Sequence, residues 1–558
     1  MPKTQTNIGK LYGGRRGLIG PRVPVPVGEF QGGDLVAPNM LGGMVTGIPR
    51  DQLQPNTGSS VVNARVRDEW LGIRPGTDEY AGAAIDVNPV LAIVTFITES
   101  RDIYTCRLTY DSFHVVDAAA TSWTAYTFLD EDGNELGNYA SATGGDADTE
   151  KRFRQDVRFS FAQFFSKLYI ADGVNAIWEV DFGHHTVTQI VDAPRARFLM
   201  TFADRIVAGD IDFYKGGPRP NTIQWCVNAD PGDWTGYSSG WEDLAATEIG
   251  DTISGLVSLE SGSVIVRKNS IWSLTRQAFQ TPVFSFRPVV QGLGCDLPYT
   301  IARIPGGMIF ADQRTRGIYV YSPQSGPQPI RLPDPTMFDS MDLLEYAQGA
   351  YDPYEREYHL GLIESGETQI TKTWVYSFQH QAWTYDDSPE VSCIGVVSLP
   401  DASVAIDDLV STITSQSGTI DEFGGGSEFV PTLLKGVATG EVIKQSYDYA
   451  TDYDDSVFTF SFISQNFGSQ SLRREMKNLA VRSLVATTGD VLLDERNEDG
   501  SWRHEKTDTI TGSAVPTNVR IPNKRVSGED LYFRIRSSAA AVKFYSWVVQ
   551  VHEKGRQV

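Results

Sequence analysis

The densest group of potentially reactive side chains is an acidic segment at residues 130–150. It holds seven carboxylates and four glycines but no lysine or arginine. The carboxylates are Asp130, Glu131, Asp132, Glu135, Asp146, Asp148 and Glu150. Carboxylate oxygens are the usual ligands of Ca²⁺, and residues 130–134 match the start of a calcium-binding loop. Because glycine is absent from the sixth loop position and the closing glutamate is misplaced, the pattern favours a solvated acidic loop.

Motifs for common catalytic and metal-binding chemistry are missing elsewhere. The sequence contains no GxxxxGK[ST] phosphate loop and no HExxH helix motif. Its adjacent histidine pair, His184-His185, lies in a turn-like segment, where neighbouring side chains point to opposite sides. The four cysteines form no CxxC pair, which argues against a zinc cluster and a disulfide scaffold. We therefore expect no catalytic, cofactor-binding or metal site, and no cofactor.

Negative charge is concentrated in the middle of the chain. The 558 residues carry a formal net charge of −22, and residues 81–451 hold 24 Lys and Arg against 49 Asp and Glu, a balance of −25. Proteins that grip nucleic acid through its phosphates need clusters of lysine and arginine. Tight DNA binding by this segment is therefore not expected, and the acidity equally fits plain solubility.

Short β-type runs recur from about residue 85 to residue 400. LYIAD at 168–172 reappears as MIFAD at 308–312, and a turn and a second apolar run follow each copy, as in a β-hairpin. The aromatic residues at this place in successive copies are Trp178, Trp225, Trp272 and Tyr319, each 47 residues after the one before. A period of about 40 to 50 residues matches one four-stranded propeller blade. The sequence predicts an all-β chain with a β-propeller of about six blades and buried aromatic residues. A β-sandwich or solenoid array is the alternative.

The predicted domains follow one another along the chain. Residues 1–60, with 12 Gly and 7 Pro, lack a core of their own and are predicted to be an extended docking arm. Such an arm docks on the rest of its own chain, on a neighbouring subunit or on another protein, and a role in assembly is the favoured interpretation. Residues 61–400 form the propeller, 401–451 a connector and 452–558 a C-terminal β-sandwich-like domain. The longest nearly apolar run has fewer than half of the ~20 residues that a membrane helix needs, so no membrane-spanning segment is expected.

Several phrases resemble the tail nozzle proteins of short-tailed bacteriophages, a family also called tail tubular protein B or the packaged-DNA stabilisation hub. The phrases, in chain order, are NARVRD at 63–68, RPG at 74–76, DRIVAG at 204–209, PNTIQW at 220–225, NADPGDW at 228–234, GLGC at 292–295, IFAD at 309–312, VY at 375–376 with Trp383, IDDL at 406–409 and GTID at 418–421. The resemblance extends from about residue 60 onward. Residues before 60 and the acidic segment at 130–150 have no counterpart in it.

The resemblance implies a structural protein of a virion tail, assembled in the bacterial host cytoplasm. It would be a homo-oligomer, a hexameric ring below the portal and its adaptor, with tail fibres or the tail tip as possible further partners. Such a nozzle retains packaged DNA and lets it leave at infection without specific binding. Acidic walls suit this task because they repel phosphates.

Two questions stay open at this stage. If the loop at 130–150 points into the channel, its seven carboxylates form a candidate channel gate; if it points outward, it is only a solvated loop. The alternative function is a propeller glycosidase or lectin acting on host surface glycans. A glycosidase needs two carboxyl groups about 5 to 9.5 Å apart across a pocket, and the many acids of the propeller segment leave such a pair open.

Overall fold

The computed structural model describes the greater part of the chain. The described residues are 33–37, 39–46, 54, 56–67, 69–82, 86–117, 122–137, 158–213, 217–244, 250–260, 262–277, 283–339, 341–342, 344–400, 429–446, 451–464, 473–485, 489–496, 501–510, 517–521, 526–528, 532–538 and 542–554. Their regular structure is almost entirely β-strand, with short 3-10 turns at Pro298–Thr300 and Leu344–Tyr346. The predicted all-β class is confirmed. No helix in these ranges is long and apolar enough to cross a membrane.

The chain forms two compact units whose segments alternate along the sequence. Unit 1 draws on Met1–Arg74, Val375–Asp386 and Val457–Val558, and unit 2 on Pro75–Trp374 and Asp387–Ser456. The structure thus differs from the consecutive domains with limits at residues 60, 400 and 451 that the sequence predicted. The reason is that strands far apart in sequence share hydrogen-bonded sheets, a pairing that local composition does not reveal.

Unit 2 contains six successive, mainly antiparallel sheets, and a seventh sheet of four strands closes the ring, which confirms the predicted propeller of about six blades. Blade 1 contains the strands Ala92–Ile97, Ile103–Leu108, Phe113–Asp117 and Thr124–Ala125. Blade 2 contains Ser160–Phe164, Lys167–Ala171, Trp178–Asp181 and Thr186–Gln189. Blade 3 contains Arg195–Thr201, Ile206–Phe213, Gly217–Trp225 and Gly240–Asp243. Blade 4 contains Ile253–Leu259, Gly262–Arg267, Ser270–Arg276 and Phe284–Gln291. Blade 5 contains Ala302–Ile304, Gly307–Asp312, Gly317–Ser322 and Gly326–Ile330. Blade 6 contains Gln348–Asp352, Glu357–Glu364 and Ile370–Ser377. Within each blade the strands pair in chain order.

The end of the propeller segment returns to its beginning. The long strand Ala382–Pro400 follows blade 6. Its second part pairs with Phe429–Val437, and Phe429–Val437 pairs with Val442–Ser446. Val442–Ser446 in turn pairs with Gly76–Glu79. The Ser398 amide donates a hydrogen bond to Thr95 Oγ1 of blade 1 at 2.9 Å. These contacts close the ring, so the blade edges that a linear array would leave open are covered. A two-residue strand, Met341–Asp342, pairs with Glu357–Glu364.

The aromatic residues at 47-residue spacing pack inside the blades. Trp178 and Trp272 are buried, as the sequence predicted, and Trp225 is buried as well. Tyr319 was also predicted to be largely buried, but it is half-buried. The strand beside it, Gly326–Ile330, is the partly exposed outer edge of blade 5, which leaves the tyrosine ring less well covered.

Unit 1 is built from two sheets. The first sheet contains Gly33–Ala37, Ala64–Val66, Leu71–Ile73, Arg473–Val485, Thr517–Ile521, Val526–Gly528 and Val542–Lys554. The second sheet contains Gly58–Val62, Phe460–Ser464, Gly489–Arg496, Trp502–Ile510 and Phe533–Ser537. Phe460 of the second sheet stacks on Phe544 of the first with ring centroids 4.7 Å apart, and Phe533 meets Trp547 at 5.2 Å. This face-to-face packing is that of a β-sandwich.

The predicted docking arm contributes strands to this sandwich. Gly33–Ala37 pairs antiparallel with Val542–Lys554, from Gly33 opposite Val551 to Ala37 opposite Trp547. Gly58–Val62 pairs antiparallel with Phe460–Ser464. These parts of residues 1–60 therefore dock on the chain's own sheets rather than on a neighbouring subunit, because added strands satisfy backbone groups at sheet edges. Residues 1–32 lie outside the described residues.

Candidate functional site

The acidic segment begins as a structured hairpin. Thr127–Leu129 pairs with Glu135–Gly137 and also runs parallel to Thr186–Gln189, so blade 2 carries two additional strands. The turn between them is fixed by Asp130, whose Oδ1 accepts hydrogen bonds from the amides of Asp132 and Asn134 at 2.9 and 2.7 Å. This is the hydrogen-bonding pattern of an Asx turn.

The candidate gate residues therefore do not share one environment. Asn134 Nδ2 donates to Asp130 Oδ2 at 3.0 Å, and the hydrogen bonds from Asn134 lower the pKa of the Asp130 carboxyl. Glu131, Asp132 and Glu135 are exposed to solvent. Asp146, Asp148 and Glu150 lie outside the described residues. Asp130 stabilises the turn through its hydrogen bonds. The gate role of the seven carboxylates stays a prediction.

A central cavity lies among the first strands of the blades in unit 2. Its volume is about 630 Å³, which is within the size range of small-molecule sites. The first strand of every blade contributes to its lining, for example through Ala92, Ser160, Phe198, Gly255, Arg303 and Gln348. The cavity thus sits at the centre of the propeller, where six blades converge. None of the described residues that line it is Asp or Glu.

Arginine and tyrosine side chains provide the polar character of this cavity. Arg158 and Arg303 line it, and the buried Arg158 guanidinium lies 5.0 Å from the centroid of the Tyr346 ring. Behind the wall, Arg197 Nε donates a hydrogen bond to the hydroxyl of Tyr299, a lining residue, at 3.0 Å. A cavity with guanidinium groups and no described carboxylate favours an anionic guest.

Asp210 faces Arg197 from the neighbouring strand of blade 3. The shortest distance between their charged groups is 3.9 Å, longer than a hydrogen bond. Asp210 has a positive φ of 53°, at a β-bulge between Gly209 and Ile211. Bulges redirect side chains, and this one turns the carboxyl toward the arginine. Burial raises the pKa of Asp210, although Arg197 and Lys268 oppose that shift.

Blade 1 contains a Ser, His and Asp together, which the sequence did not predict. Ser112 Oγ donates to Asp86 Oδ2 at 2.6 Å and lies 3.2 Å from His114 Nδ1. In a catalytic triad the serine proton faces the histidine, and the aspartate holds the far ring nitrogen. Here the serine is bonded to the aspartate, which also accepts a bond from Arg107 at 3.3 Å. Burial, helped by Arg107, lowers the pKa of His114 to about 4. The group fastens the hairpin and lacks the order of a triad.

A GxSxG pattern occurs at residues 236–240. In hydrolases this pattern forms a strained turn between a strand and a helix. Here Ser238 instead lies in a turn before the strand Gly240–Asp243, and its carbonyl accepts a hydrogen bond from Arg205 Nη1 at 2.8 Å. The same arginine nitrogen donates to the Cys226 carbonyl at 2.6 Å. The pattern therefore belongs to the scaffold of blade 3.

Two carboxyl pairs lie at blade hairpins. Asp296 is half-buried beside the buried Asp312, and its pKa is raised by burial and by the Asp312 charge. Asp352 stands opposite Glu357 across a hairpin of blade 6, and burial raises the pKa of Asp352 to about 6. Neither pair lines the central cavity, so neither provides facing carboxyls for a substrate held there.

The remaining candidates for metal or thiol chemistry serve local structure. His184 Nδ1 lies 2.9 Å from Asp181 Oδ2, in the turn that the sequence predicted. Among the described residues, no three His, Cys, Asp or Glu side chains are grouped so that they could hold a metal ion. All four cysteines are buried, and burial raises the pKa of Cys393, a cavity-lining residue, to about 12. Such a thiol is protonated and inert at neutral pH.

Comparisons with known proteins give no family assignment. No family model matches the sequence, and no curated protein matches it. YCF48 from Cyanidioschyzon merolae is 8% identical, with a TM-score of 0.35 over 67% of this chain and 99% of that one. BamB from Moraxella catarrhalis is 8% identical, with a TM-score of 0.33 over 73% and 98%. An exo-beta-1,3-galactanase from Phanerochaete chrysosporium is 10% identical, with a TM-score of 0.24 over 76% and 98%. The propeller assignment rests on the six sheets themselves.

Several phrases that suggested the nozzle family occupy scaffold positions, whereas IDDL at 406–409 and GTID at 418–421 lie outside the described residues. Arg65 forms a two-pronged ion pair with Asp386, with both N–O distances 2.7 Å and both side chains buried. Arg205 binds backbone carbonyls within blade 3, and Trp234 is buried beside it in the same blade. These residues explain folding rather than catalysis. The cavity residues Arg158, Arg303 and Tyr299 were not predicted, because only their place on or next to the innermost strands distinguishes them.

Proposed function

We propose that this chain is a structural component of a bacteriophage tail. In this proposal copies of the chain, six by resemblance, form a ring-shaped nozzle below the portal adaptor of the virion tail. The nozzle retains packaged DNA and later lets it exit without specific binding. The ring is assembled in the bacterial host cytoplasm, and tail fibres or the tail tip are further candidate partners.

The ordered series of nozzle-like phrases supports the proposal, and the structure gives these phrases a physical reason. Phrases from different parts of the sequence carry side chains that hold sheets together, as Arg65 and Arg205 do. Such positions are expected to define a scaffold, since a buried guanidinium needs fixed partners. The strongly acidic propeller segment also suits a wall past which DNA slides, because like charges repel.

One observation favours this function over that of a glycosidase. The central cavity has no Asp or Glu among its described lining residues, whereas glycoside hydrolysis requires two carboxyl groups facing the bond to be cleaved. The two carboxyl pairs lie at hairpins and are occupied by local contacts. The proposal therefore assigns the chain a mechanical role.

Native mass spectrometry of the purified full-length chain, with and without the adaptor protein from the same phage, tests this function. We expect six-copy assemblies that form or become more abundant when the adaptor is added. The same preparation is incubated with polysaccharide from the host surface. A chain that stays monomeric with the adaptor and releases sugars from the polysaccharide would overturn the proposal and favour the glycosidase. The variant R65A serves as a control for the scaffold, since it should lose assembly through loss of folding.

The gate at residues 130–150 is a finer part of the same proposal. Replacing the segment by a short Asn-Gly turn between the strands of blade 2 removes all seven carboxylates of the candidate gate together. Particles that assemble normally but lose their genomes would support the gate. Particles that retain DNA as the wild type does would assign the seal to other residues.

A further inference from the structure

The central cavity of unit 2 has the features of a ligand site that the nozzle function does not use. Its volume of about 630 Å³ is enough for a monosaccharide or disaccharide derivative. Strands from six blades surround it, so its walls are fixed by the propeller rather than by a single loop. Preformed walls lower the entropic cost of binding.

The charge of the cavity is opposite to that of the surrounding chain. Two guanidinium groups, Arg158 from the start of blade 2 and Arg303 from blade 5, line it without any described carboxylate. Residues 81–451 as a whole carry a balance of −25. A positive cavity in an acidic body selects for a ligand that carries its own negative charge, since only such a ligand gains from the guanidinium groups.

Two side chains of the cavity wall, Arg158 and Tyr299, are also held in place. The Arg158 guanidinium lies over the Tyr346 ring, 5.0 Å from its centroid, in a cation–π arrangement. Tyr299, on the cavity wall, accepts a hydrogen bond from Arg197 at 3.0 Å, and the Arg197 guanidinium lies 5.5 Å from the Tyr299 ring centroid. Side chains that are fixed in advance lose less rotamer freedom when a ligand binds.

The rest of the wall suits a sugar ring. Phe161 and Tyr299 are half-buried aromatic residues of the lining, and Gln163 adds an amide group. Aromatic faces and a few polar groups together are typical of sites that bind small, partly polar ligands. We infer that the cavity binds a sugar that carries a carboxylate or a phosphate group, with the exposed Arg303 of the lining as the group that holds the anion.

Isothermal titration calorimetry on the full-length chain tests this inference independently of any assembly. The probes are glucuronate, glucose 6-phosphate, glucose and inorganic phosphate. We expect glucuronate or glucose 6-phosphate to bind at least tenfold more tightly than both glucose and inorganic phosphate. The better of the two identifies the anionic group as a carboxylate or a phosphate. Glucose binding as tightly as either anionic sugar, or no heat from either anionic sugar at millimolar concentration, would overturn the inference.

Two variants locate the binding. Arg303 is exposed to the cavity and can be changed without opening the core, so R303Q should weaken the better ligand at least tenfold while the circular dichroism spectrum stays unchanged. R287Q is the matched control, because Arg287 is an exposed arginine on the strand Phe284–Gln291 of blade 4 and does not line the cavity. Equal affinity of R303Q and R287Q would place the binding elsewhere and refute the assignment.

Discussion

The second hairpins of blades 2 and 5 have nearly the same sequence pattern but different polar partners. In both, the third residue of the repeated run stands opposite the aromatic marker, Ile170 opposite Trp178 and Phe310 opposite Tyr319. Trp178 is fully buried, whereas Tyr319 is half-buried and stacks on Phe310 with ring centroids 5.8 Å apart. The same backbone register therefore places one marker in the core and the other at its margin.

The buried aspartate that ends each run differs more strongly. Asp172 Oδ1 accepts bonds from the amides of Val174 and Asn175, and Oδ2 accepts one from Asn175 Nδ2 at 2.7 Å. Asp312 Oδ2 accepts two bonds from Thr315, but its fully buried Oδ1 has no hydrogen-bond partner among the described residues. The Asp296 carboxyl beside it can donate a bond only when it carries a proton. Asp172 thus has donors for both of its carboxylate oxygens, whereas Asp312 Oδ1 gains a donor only when Asp296 carries a proton that the two carboxyls then share.

The largest difference is expected at the aromatic markers. W178A should lower the free energy of unfolding by about 3 to 5 kcal/mol, because it empties a closed part of the core. Y319A should cost clearly less, since solvent already reaches part of that ring. Urea unfolding followed by tryptophan fluorescence and circular dichroism measures both. Equal losses of unfolding free energy would show that the two aromatic residues contribute equally to stability, and the difference in their burial would then have no energetic consequence.

The next effect concerns the satisfied aspartate. D172A removes an acceptor from three donors and should cost about 1 to 3 kcal/mol, the usual penalty for leaving buried polar groups unpaired. D172N, which keeps one carbonyl acceptor, should cost less and serves as the matched variant. A D172A protein as stable as the wild type would mean that water replaces the carboxylate at this turn.

The unsatisfied aspartate should respond in the opposite direction. In D312N the side-chain carbonyl can still accept from Thr315, and the new amide can donate to Asp296. We expect D312N to stabilise the chain by about 0.5 to 2 kcal/mol at pH 8, as relief of a charge conflict often does. Destabilisation at pH 8 would mean that the two carboxyls are held apart or bridged by a cation.

The pH dependence of D312N gives a second test. The folded state raises the pKa of Asp296 above its ordinary 3.8, so the stability that this carboxyl contributes is present below about pH 4 and is lost as the pH rises. The advantage of D312N in thermal unfolding should therefore be small near pH 4 and grow toward pH 8. Asp352, with a pKa of about 6, titrates in the same range in both proteins, so its effect cancels in the difference. A constant difference across this range would contradict the shared-proton explanation.

The smallest effect is expected where blade 2 carries strands that blade 5 lacks. D130A should loosen the turn between Thr127–Leu129 and Glu135–Gly137 without unfolding the blade, because it removes the acceptor of the Asp132 and Asn134 amides, and these bonds are local. Faster hydrogen exchange of the Asn134 amide, with the global unfolding transition unchanged, is the expected result. Unchanged exchange at Asn134 would show that strand pairing alone holds the hairpin.

The sequence was sufficient for the propeller because the apolar runs and the 47-residue spacing repeat the same local geometry. It predicted the burial of Trp178 and Trp272 for that reason. It could not place Gly33–Ala37 in the sandwich, since pairing with residues near 550 leaves no local signal. The cavity could not be predicted from the sequence either. Arg158 and Arg303 are 145 residues apart and line the same cavity only because the blades converge in the folded chain. Partners such as Asp296 for Asp312 depend on loop paths between blades, which composition does not determine.

Electron microscopy of the tailed particles, with this chain labelled by gold through a C-terminal tag, tests the central claim most directly. The account predicts a ring of six labels centred on the tail axis in averaged end-on views, at the height of the nozzle below the adaptor. Unlabelled particles, or single labels scattered on the side of the tail, would contradict it. Labelled particles that also package DNA normally serve as the control that the tag is tolerated.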